Sequence, residues 1–166
     1  MHNLNKALLT TILVVLLSPL AFAYDSTQPI DLEADDLHLD NITGVLTYTG
    51  NVKLTQGEMK LTADTLKIHT VERKVKRIEA FGELAHLQDR RPDGRLIKAE
   101  AKILDYNVDN ETIQLTGKGK IDQEGNVMTS ESIFYDLKTS DLQAGDKQKN
   151  ERVRMTIQPE NVNTGE

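Results

Sequence analysis

The chain has 166 residues, and its 20 Lys and Arg against 26 Asp and Glu give a net charge of −6. An acidic chain lacks the electrostatic footprint of a nucleic-acid-binding protein, so we expect no nucleic-acid partner. There is no cysteine, which excludes thiol catalysis, cysteine-bound zinc and cysteine-ligated iron–sulfur clusters. With three Phe, four Tyr and no Trp, a core must consist mainly of Leu, Ile, Val and Thr.

The first 23 residues have the organisation of a secretory signal peptide. A short polar start with one cation, Lys6, precedes an apolar run from Ala7 to Leu17. Pro19 interrupts this run, and Ala21-Phe22-Ala23 supplies the small-x-small cleavage pattern. The apolar run is too short for a membrane-spanning helix, which needs about 20 residues. We therefore predict cleavage after Ala23 and secretion, rather than an uncleaved anchor.

Removal of residues 1–23 leaves residues 24–166, a length expected for one domain. We predict a single folded domain over residues 24–158. Residues 159–166 are short and polar, and we expect them to form a disordered tail.

From Ile30 to Tyr135 the dominant pattern is alternation of apolar and polar residues, which indicates half-buried β-strands. Turn-forming residues recur at short intervals, and no segment keeps an apolar stripe with helical period for three turns. Many short strands at this spacing predict an all-β fold, either a sandwich, a barrel or a jelly roll. The predicted turns are Asp40-Asn41, Gln56-Gly57, Pro92-Asp93-Gly94, Asp109-Asn110, Glu124-Gly125-Asn126 and Gly145-Asp146.

The chain also repeats itself. One pattern of six residues has a small residue first, a polar residue second and apolar residues at the fourth and sixth positions. It begins at Ala34, Ala63, Ala101 and Ser130. A second pattern, Leu46-Thr47-Tyr48-Thr49-Gly50, returns as Ile113 to Gly117 after 67 residues, with a looser copy at Ile78 to Gly82. Such repeats indicate stacked β units that bury a shared apolar face. Chance alternation is the alternative explanation.

No pattern of catalytic residues emerges, and we predict that the protein is not an enzyme and holds no cofactor or metal. His38, His69 and His86 are in separate strands without metal-type spacing. No nucleophile elbow, phosphate-binding loop or dinucleotide motif is present. Asp35, Asp64 and Glu131 recur with the repeat, so we assign them to strand ends and turns. A hydrolase with paired carboxylates stays the alternative from a different class.

Several short motifs follow one another along residues 28–144. They are Gln28-Pro29-Ile30, Ala34-Asp35, Tyr48-Thr49-Gly50-Asn51-Val52, Thr55-Gln56-Gly57, Ala63-Asp64 and Leu115-Thr116-Gly117. Each motif is short, and only their order and spacing are specific. In that order and spacing the chain resembles the LptA/OstA family of lipopolysaccharide-transport proteins.

This resemblance implies a twisted, slightly open antiparallel β jelly roll (OstA-like) in the periplasm of a Gram-negative cell. It implies a protein that binds lipopolysaccharide through the lipid A acyl chains and bridges the inner and outer membranes during export. The implied partners are an LptC-like inner-membrane protein, an LptD-like outer-membrane protein and further copies stacked head to tail. The alternatives are an LptC-like membrane-anchored relay component and a structural β-repeat scaffold that binds no lipid.

The alternating apolar residues predict the lining of a trough that shelters acyl chains, because each exposed CH₂ costs about 0.8 kcal/mol in water. Alternation shows an inward face but not an empty one, so an ordinary packed core is the alternative. Leu37, Leu61, Ile68 and Tyr135 belong to the same face. The residues that we expect to bind lipid are Ile30, Leu32, Leu39, Leu46, Tyr48, Val52, Leu54, Leu66, Leu87, Tyr106, Val108, Ile113, Leu115 and Ile121.

Two further surfaces are candidates for contact. Residues 28–32 and 153–157 are expected at the sheet edges, where they either accept a partner strand or carry charges that discourage pairing. The basic cluster Arg73-Lys74-Val75-Lys76-Arg77 and the pair Arg90-Arg91 either contact lipid phosphates or belong to solvated loops.

Overall fold

The structure is a computed structural model that describes residues 28–90, 94–139, 141–145 and 151–159. The predicted signal peptide, most of the predicted tail and Arg91 lie outside these residues. Among the residues that the structure describes, none forms a helix with the length and hydrophobicity of a membrane span. The strands are β1 (Asp31–Glu33), β2 (Asp36–Asp40), β3 (Val45–Gln56), β4 (Met59–Val71), β5 (Lys74–Arg90), β6 (Leu96–Asn107), β7 (Thr112–Gln123), β8 (Asn126–Asp136), β9 (Asp141–Ala144) and β10 (Arg154–Thr156).

The strands form one antiparallel sheet in which β3 to β8 pair in chain order. Short strands complete its two edges, because β1 and β2 both pair with β3 and β9 and β10 both pair with β8. Among the described residues the two edges do not pair with each other, so the sheet stays open. The predicted open antiparallel jelly roll is confirmed, and the two predicted edge segments overlap the edge strands β1 and β10.

Each long strand pairing is interrupted near its middle. The register shifts between Thr49 and Val52 in β3, and equivalent shifts occur in the four following pairings. An extra residue at a bulge bends a strand and increases its twist. A line of bulges therefore crosses the whole sheet and divides it into two halves. We call the half that contains β2 and β9 the first wall, and the half that contains β1 and β10 the second wall.

The repeated motifs form this line of corners. The Asp35 carboxylate accepts a hydrogen bond from Asn51 Nδ2 at 2.8 Å, and the Asp64 carboxylate accepts one from the Glu83 amide at 3.1 Å. The Glu131 carboxylate accepts one from the Lys118 amide at 3.3 Å. The assignment of these acids to strand ends was wrong for Asp64 and Glu131, which lie inside β4 and β8. Their repetition reflects a repeated bend.

Inward-facing residues form rows that run across every long strand. One row of the first wall reads Leu37, Tyr48, Leu66, Ala80, Leu104, Leu115, Ile133 and Ala144. A row of the second wall reads Leu32, Leu54, Leu61, Leu87, Ala99, Ile121, Met128 and Met155. Members of both rows belong to a single buried cluster, so the two walls face each other.

Turns separate the strands at the predicted positions that the structure describes, and two further turns were missed. One consists of Glu72 and Arg73, with φ of 51° and 65°. The other follows Asp136. Neither contains the Gly or Asn that usually marks a turn in sequence, which explains why the pattern did not indicate them.

Candidate functional site

An apolar cavity of about 580 Å³ lies between the two walls. The first wall contributes Ile78, Leu104, Tyr106, Ile113, Leu115 and Tyr135 to its lining. The second wall contributes Leu54, Leu61, Leu87, Ile97, Ala99 and Ile121. Well-packed protein interiors have few voids larger than a water molecule, so this interior differs from an ordinary packed sandwich core.

The polar residues of the cavity lining lie near the hairpin tips. Gln56, Glu58, Asp89 and Arg90 are at the tips of the second wall, and Glu111 is at a tip of the first wall. The middle of the cavity is therefore apolar and its margins are polar. This distribution suits a ligand with a long apolar part and a polar end.

The Asp89 carboxyl is a titratable group at this margin. Burial raises its pKa above the usual value, and the nearby Glu58 carboxylate acts in the same direction. A hydrogen bond from the Arg90 amide to Asp89 Oδ1, at 2.7 Å, opposes the shift by stabilising the carboxylate.

Six of the predicted lining residues contact the cavity, and the other eight lie elsewhere. Those on the cavity are Leu54, Leu87, Tyr106, Ile113, Leu115 and Ile121. Val52 and Leu66 are buried in the core, and Leu32, Leu46 and Tyr48 pack against that core. Val108 lies in the turn between β6 and β7, where its amide donates to the Lys76 carbonyl. Ile30 and Leu39 are about half exposed near one edge of the sheet.

Sequence reasoning missed several lining residues. Ile78 and Leu104 face inward beside the predicted Tyr106, since Ile78 pairs with Tyr106 and Leu104 with Leu115. Ile97 and Ala99 line the second wall. Their alternation with Lys98 was a usable signal, but the small Ala99 was not recognised as part of an apolar face. Met59 and Leu137, close to the hairpin tips, were missed too.

Two of the four basic residues of the predicted cluster at residues 73–77 form ion pairs in the structure. Lys76 contacts Asp109 at 2.8 Å, and Arg77 contacts Asp105 at 2.6 Å and Glu79 at 2.9 Å. The hydrogen bond to Asp105 raises the pKa of Arg77, so its charge is fixed. Arg90 is at a cavity margin, 3.7 Å from Glu58.

The histidines do not converge on one site. His69 contacts Glu79 at 2.7 Å on the first wall, and His86 contacts Glu100 at 3.3 Å on the second. His38 is exposed on the edge strand β2. Within the part of the chain that the structure describes, no group of three or more acidic or histidine side chains is placed to hold a metal ion.

The fold and the interior together define an open β jelly roll whose two walls enclose an apolar cavity with polar margins. Comparison with known proteins identifies the family to which this fold belongs. Residues 31–141 match the family described as "LptA/(LptD N-terminal domain) LPS transport protein". The chain belongs to this family.

Individual relatives agree with this assignment. The chain is 32% identical to the lipopolysaccharide export system protein LptH of Pseudomonas aeruginosa, over 84% of this chain and 85% of that protein. It is 28% identical to LptA of Escherichia coli K12, over 95% and 85%, and 30% identical to LptA of Haemophilus influenzae, over 93% and 92%.

A solved structure has the same architecture. The crystal structure of LptH from Pseudomonas aeruginosa matches with a TM-score of 0.74 and covers 81% of this chain and 99% of that chain. That structure is described as the LptA-homologous periplasmic component of the conserved lipopolysaccharide transport device.

Proposed function

We propose that this protein is a periplasmic lipopolysaccharide-binding transport protein. It holds the lipid A acyl chains between its two walls and bridges the inner and outer membranes during lipopolysaccharide export. The predicted signal peptide, cleaved after Ala23, directs it to the periplasm. Its membership in the lipopolysaccharide-transport family and the names of its relatives support this role.

The observation that carries the proposal is the apolar cavity between the walls. Its lining consists mainly of Leu, Ile and Tyr side chains, and its volume of about 580 Å³ lies in the range of ligand pockets. Each CH₂ removed from water contributes about 0.8 kcal/mol, so several acyl chains have a large driving force to enter. None of the lining residues needs to exchange a proton, and the role is one of binding without catalysis.

The sheet edges support a bridge between partners. The inward rows end at exposed apolar side chains, with Leu37 at 52% and Leu39 at 48% exposure on β2 and Met155 at 57% on β10. An unpaired edge strand accepts another strand, and the apolar rows then continue into the neighbouring molecule. We propose an LptC-like protein at one edge, an LptD-like protein at the other, and head-to-tail stacking of copies between them.

Mass spectrometry of lipid bound to the purified mature protein tests the cargo. We expect a lipid A species at near-stoichiometric amount. A protein that is folded but carries no lipid after purification, and that binds none when lipopolysaccharide is added, contradicts the proposal and favours the structural scaffold.

A pair of variants on β7 tests the cavity itself. Ile113→Asp places a carboxylate on the cavity wall, where Ile113 is only partly buried, whereas Thr116→Asp places the same charge on the exposed outer face of the same strand. We expect Ile113→Asp to weaken lipopolysaccharide binding at least about tenfold, because burying an unpaired charge is costly. Thr116→Asp is expected to bind like the parent. Equal binding by both folded variants rules out the interior as the lipid site.

Disulfide formation tests the stacking, because the chain has no cysteine of its own. We expect a variant with Leu37→Cys and Ala144→Cys, at opposite edges, to oxidise to a ladder of cross-linked multimers. A variant with Leu37→Cys and Thr116→Cys, whose second position is in the middle of the sheet, is the control. Multimers at the same yield from both variants contradict edge-to-edge assembly.

A further inference from the structure

A second concavity, of about 290 Å³, lies on the outer face of the second wall, away from the apolar cavity proposed to hold the acyl chains. Four neighbouring strands, β4 to β7, contribute two outward-facing residues each. The first row is Lys60, Gln88, Lys98 and Asp122, and the second row is Thr62, His86, Glu100 and Lys120.

Most charges of the second row are engaged with each other. Glu100 contacts His86 at 3.3 Å on one side and Lys120 at 3.3 Å on the other. The carboxylate of Asp122, in the first row, accepts a hydrogen bond from the Gly125 amide at 2.9 Å and so serves the turn between β7 and β8. Both acids of the concavity therefore have partners of their own.

Lys60 and Lys98 differ from these residues. Both side chains are exposed, and within the described residues neither has a carboxylate within ion-pair distance, although Lys98 pairs across the strands with Asp122. They lie two strands apart, about 10 Å between their backbones, with the Gln88 amide between them. Two lysines and a glutamine from three adjacent strands thus line the same concavity.

We infer that this outer concavity is a binding site for a phosphate-bearing anion, with Lys60 and Lys98 as the charged contacts and Gln88 between them. Ammonium groups bind phosphate as point charges, and an amide donates hydrogen bonds to its oxygens. The volume is too small for a large ligand and suits one phosphate or diphosphate group. The positive charge is local, since the chain as a whole is acidic.

The site lies on the opposite face of the sheet from the apolar cavity, although Leu87 and Ala99 contribute to both linings. Its existence does not depend on what fills the interior. The phosphate has two sources, either a soluble phosphorylated compound or the phosphorylated headgroup of a lipid that reaches over the hairpin tips.

Titration with inorganic pyrophosphate tests the site on the intact mature protein. We expect saturable binding at low ionic strength by calorimetry, with amide shifts in nuclear magnetic resonance spectra centred on His86, Gln88 and Lys98. The double variant Lys60→Gln/Lys98→Gln is expected to raise Kd about tenfold or more, as removal of charged hydrogen-bond partners does.

The control double variant is Lys67→Gln/Lys102→Gln, which removes the same charge at positions that do not line the concavity. We expect its Kd for pyrophosphate to stay within about twofold of the parent. Absence of saturable binding, or an equal loss in the two double variants, overturns the inference, because it reduces the effect to net charge.

Diphosphorylated lipid A in detergent micelles identifies the source. A loss of lipid A affinity in Lys60→Gln/Lys98→Gln, comparable to the loss for pyrophosphate, assigns the site to a lipid headgroup. Unchanged lipid A affinity together with lost pyrophosphate binding assigns it to a soluble phosphate compound.

Discussion

Asn51 donates a hydrogen bond from Nδ2 to the Asp35 carboxylate at 2.8 Å, across the corner where β3 bends between the two walls. Gly50 and Asn51 both have positive φ, at 80° and 48°. The Asp35 amide also donates to the Gly50 carbonyl at 3.0 Å. This corner joins the two repeated patterns of the sequence. Ala34-Asp35 belongs to the first pattern and Thr49-Gly50 to the second, and the two patterns are in contact here.

We expect Gly50→Ala to destabilise the fold strongly. A Cβ at Gly50 collides with the Asp35 carboxylate, and φ of +80° is also unfavourable for alanine. The control is Gly94→Ala, with φ of +85° but no described atom within 4 Å of the added Cβ. Urea unfolding is expected to show a loss of about 1 kcal/mol for Gly94→Ala from backbone conformation and about 2–4 kcal/mol for Gly50→Ala. Equal losses contradict the role of the corner contact.

The difference in burial between two leucines of the first wall predicts a difference in how much each contributes to stability. Leu66 is fully buried, whereas Leu39 is 48% exposed on the edge strand β2. We expect Leu66→Ala to lower the free energy of unfolding by about 3 kcal/mol and Leu39→Ala by less than about 1 kcal/mol. Chemical denaturation of both variants measures this. A Leu39→Ala loss as large as that of Leu66→Ala shows that the edge is buried in solution, by a partner or a second copy.

Two hairpin turns of the first wall depend on ionised aspartates. Asp40 accepts hydrogen bonds from the Ile42 and Thr43 amides at 2.8 and 3.2 Å, and Asp136 accepts them from the Lys138 and Thr139 amides at 2.8 and 2.9 Å. Hydrogen bonds with Thr43, and with the Thr139 amide, lower the pKa of the respective carboxyl below its ordinary 3.8. A lowered folded pKa stabilises the turn above the unfolded value and loses this contribution as pH falls through the folded value.

We therefore expect the amide resonances of Thr43 and Thr139 to titrate with midpoints below pH 3.8. The turn between β6 and β7 is a built-in control, because its Asn110 amide donates to Asn107 Oδ1 at 3.0 Å and the amide side chain does not titrate. A nuclear magnetic resonance pH titration compares the three turns. An identical response at Asn110 indicates global acid unfolding in place of local titration.

The pKa of Asp89 is shifted in the opposite direction from those of Asp40 and Asp136. Burial raises its pKa, so the folded state holds the proton more tightly than the unfolded chain, and stability falls as pH rises from the unfolded value of about 3.8 through the raised folded value. We expect Asp89→Asn, which keeps an acceptor for the Arg90 amide, to be more stable than the parent at pH 7. At pH 3, where the carboxyl is protonated in both states, the difference is expected to vanish. Urea midpoints at the two pH values measure it, and a constant difference contradicts the explanation.

The sequence predicted more of the fold than of the site. Alternation identified the inward face of β3, because side chains on a strand point to opposite faces at every step. It did not locate the bends, because Gly50-Asn51, where β3 bends, does not stand out in the sequence from the repeated motif around it. It also placed Ile30 and Leu39 in the lining, although both are about half exposed. Alternation gives the face of a residue but not its distance from an edge.

The sequence by itself determined the all-β class, the repeated units and the family resemblance, because these depend on local periodicity and on the order of short motifs. Only the tertiary structure decided that the repeated acids hold a line of corners, that the walls leave a cavity between them, and which six predicted residues reach it. Those properties depend on how far apart two distant strands are held. The periodicity of residues along a single strand contains no information about that distance.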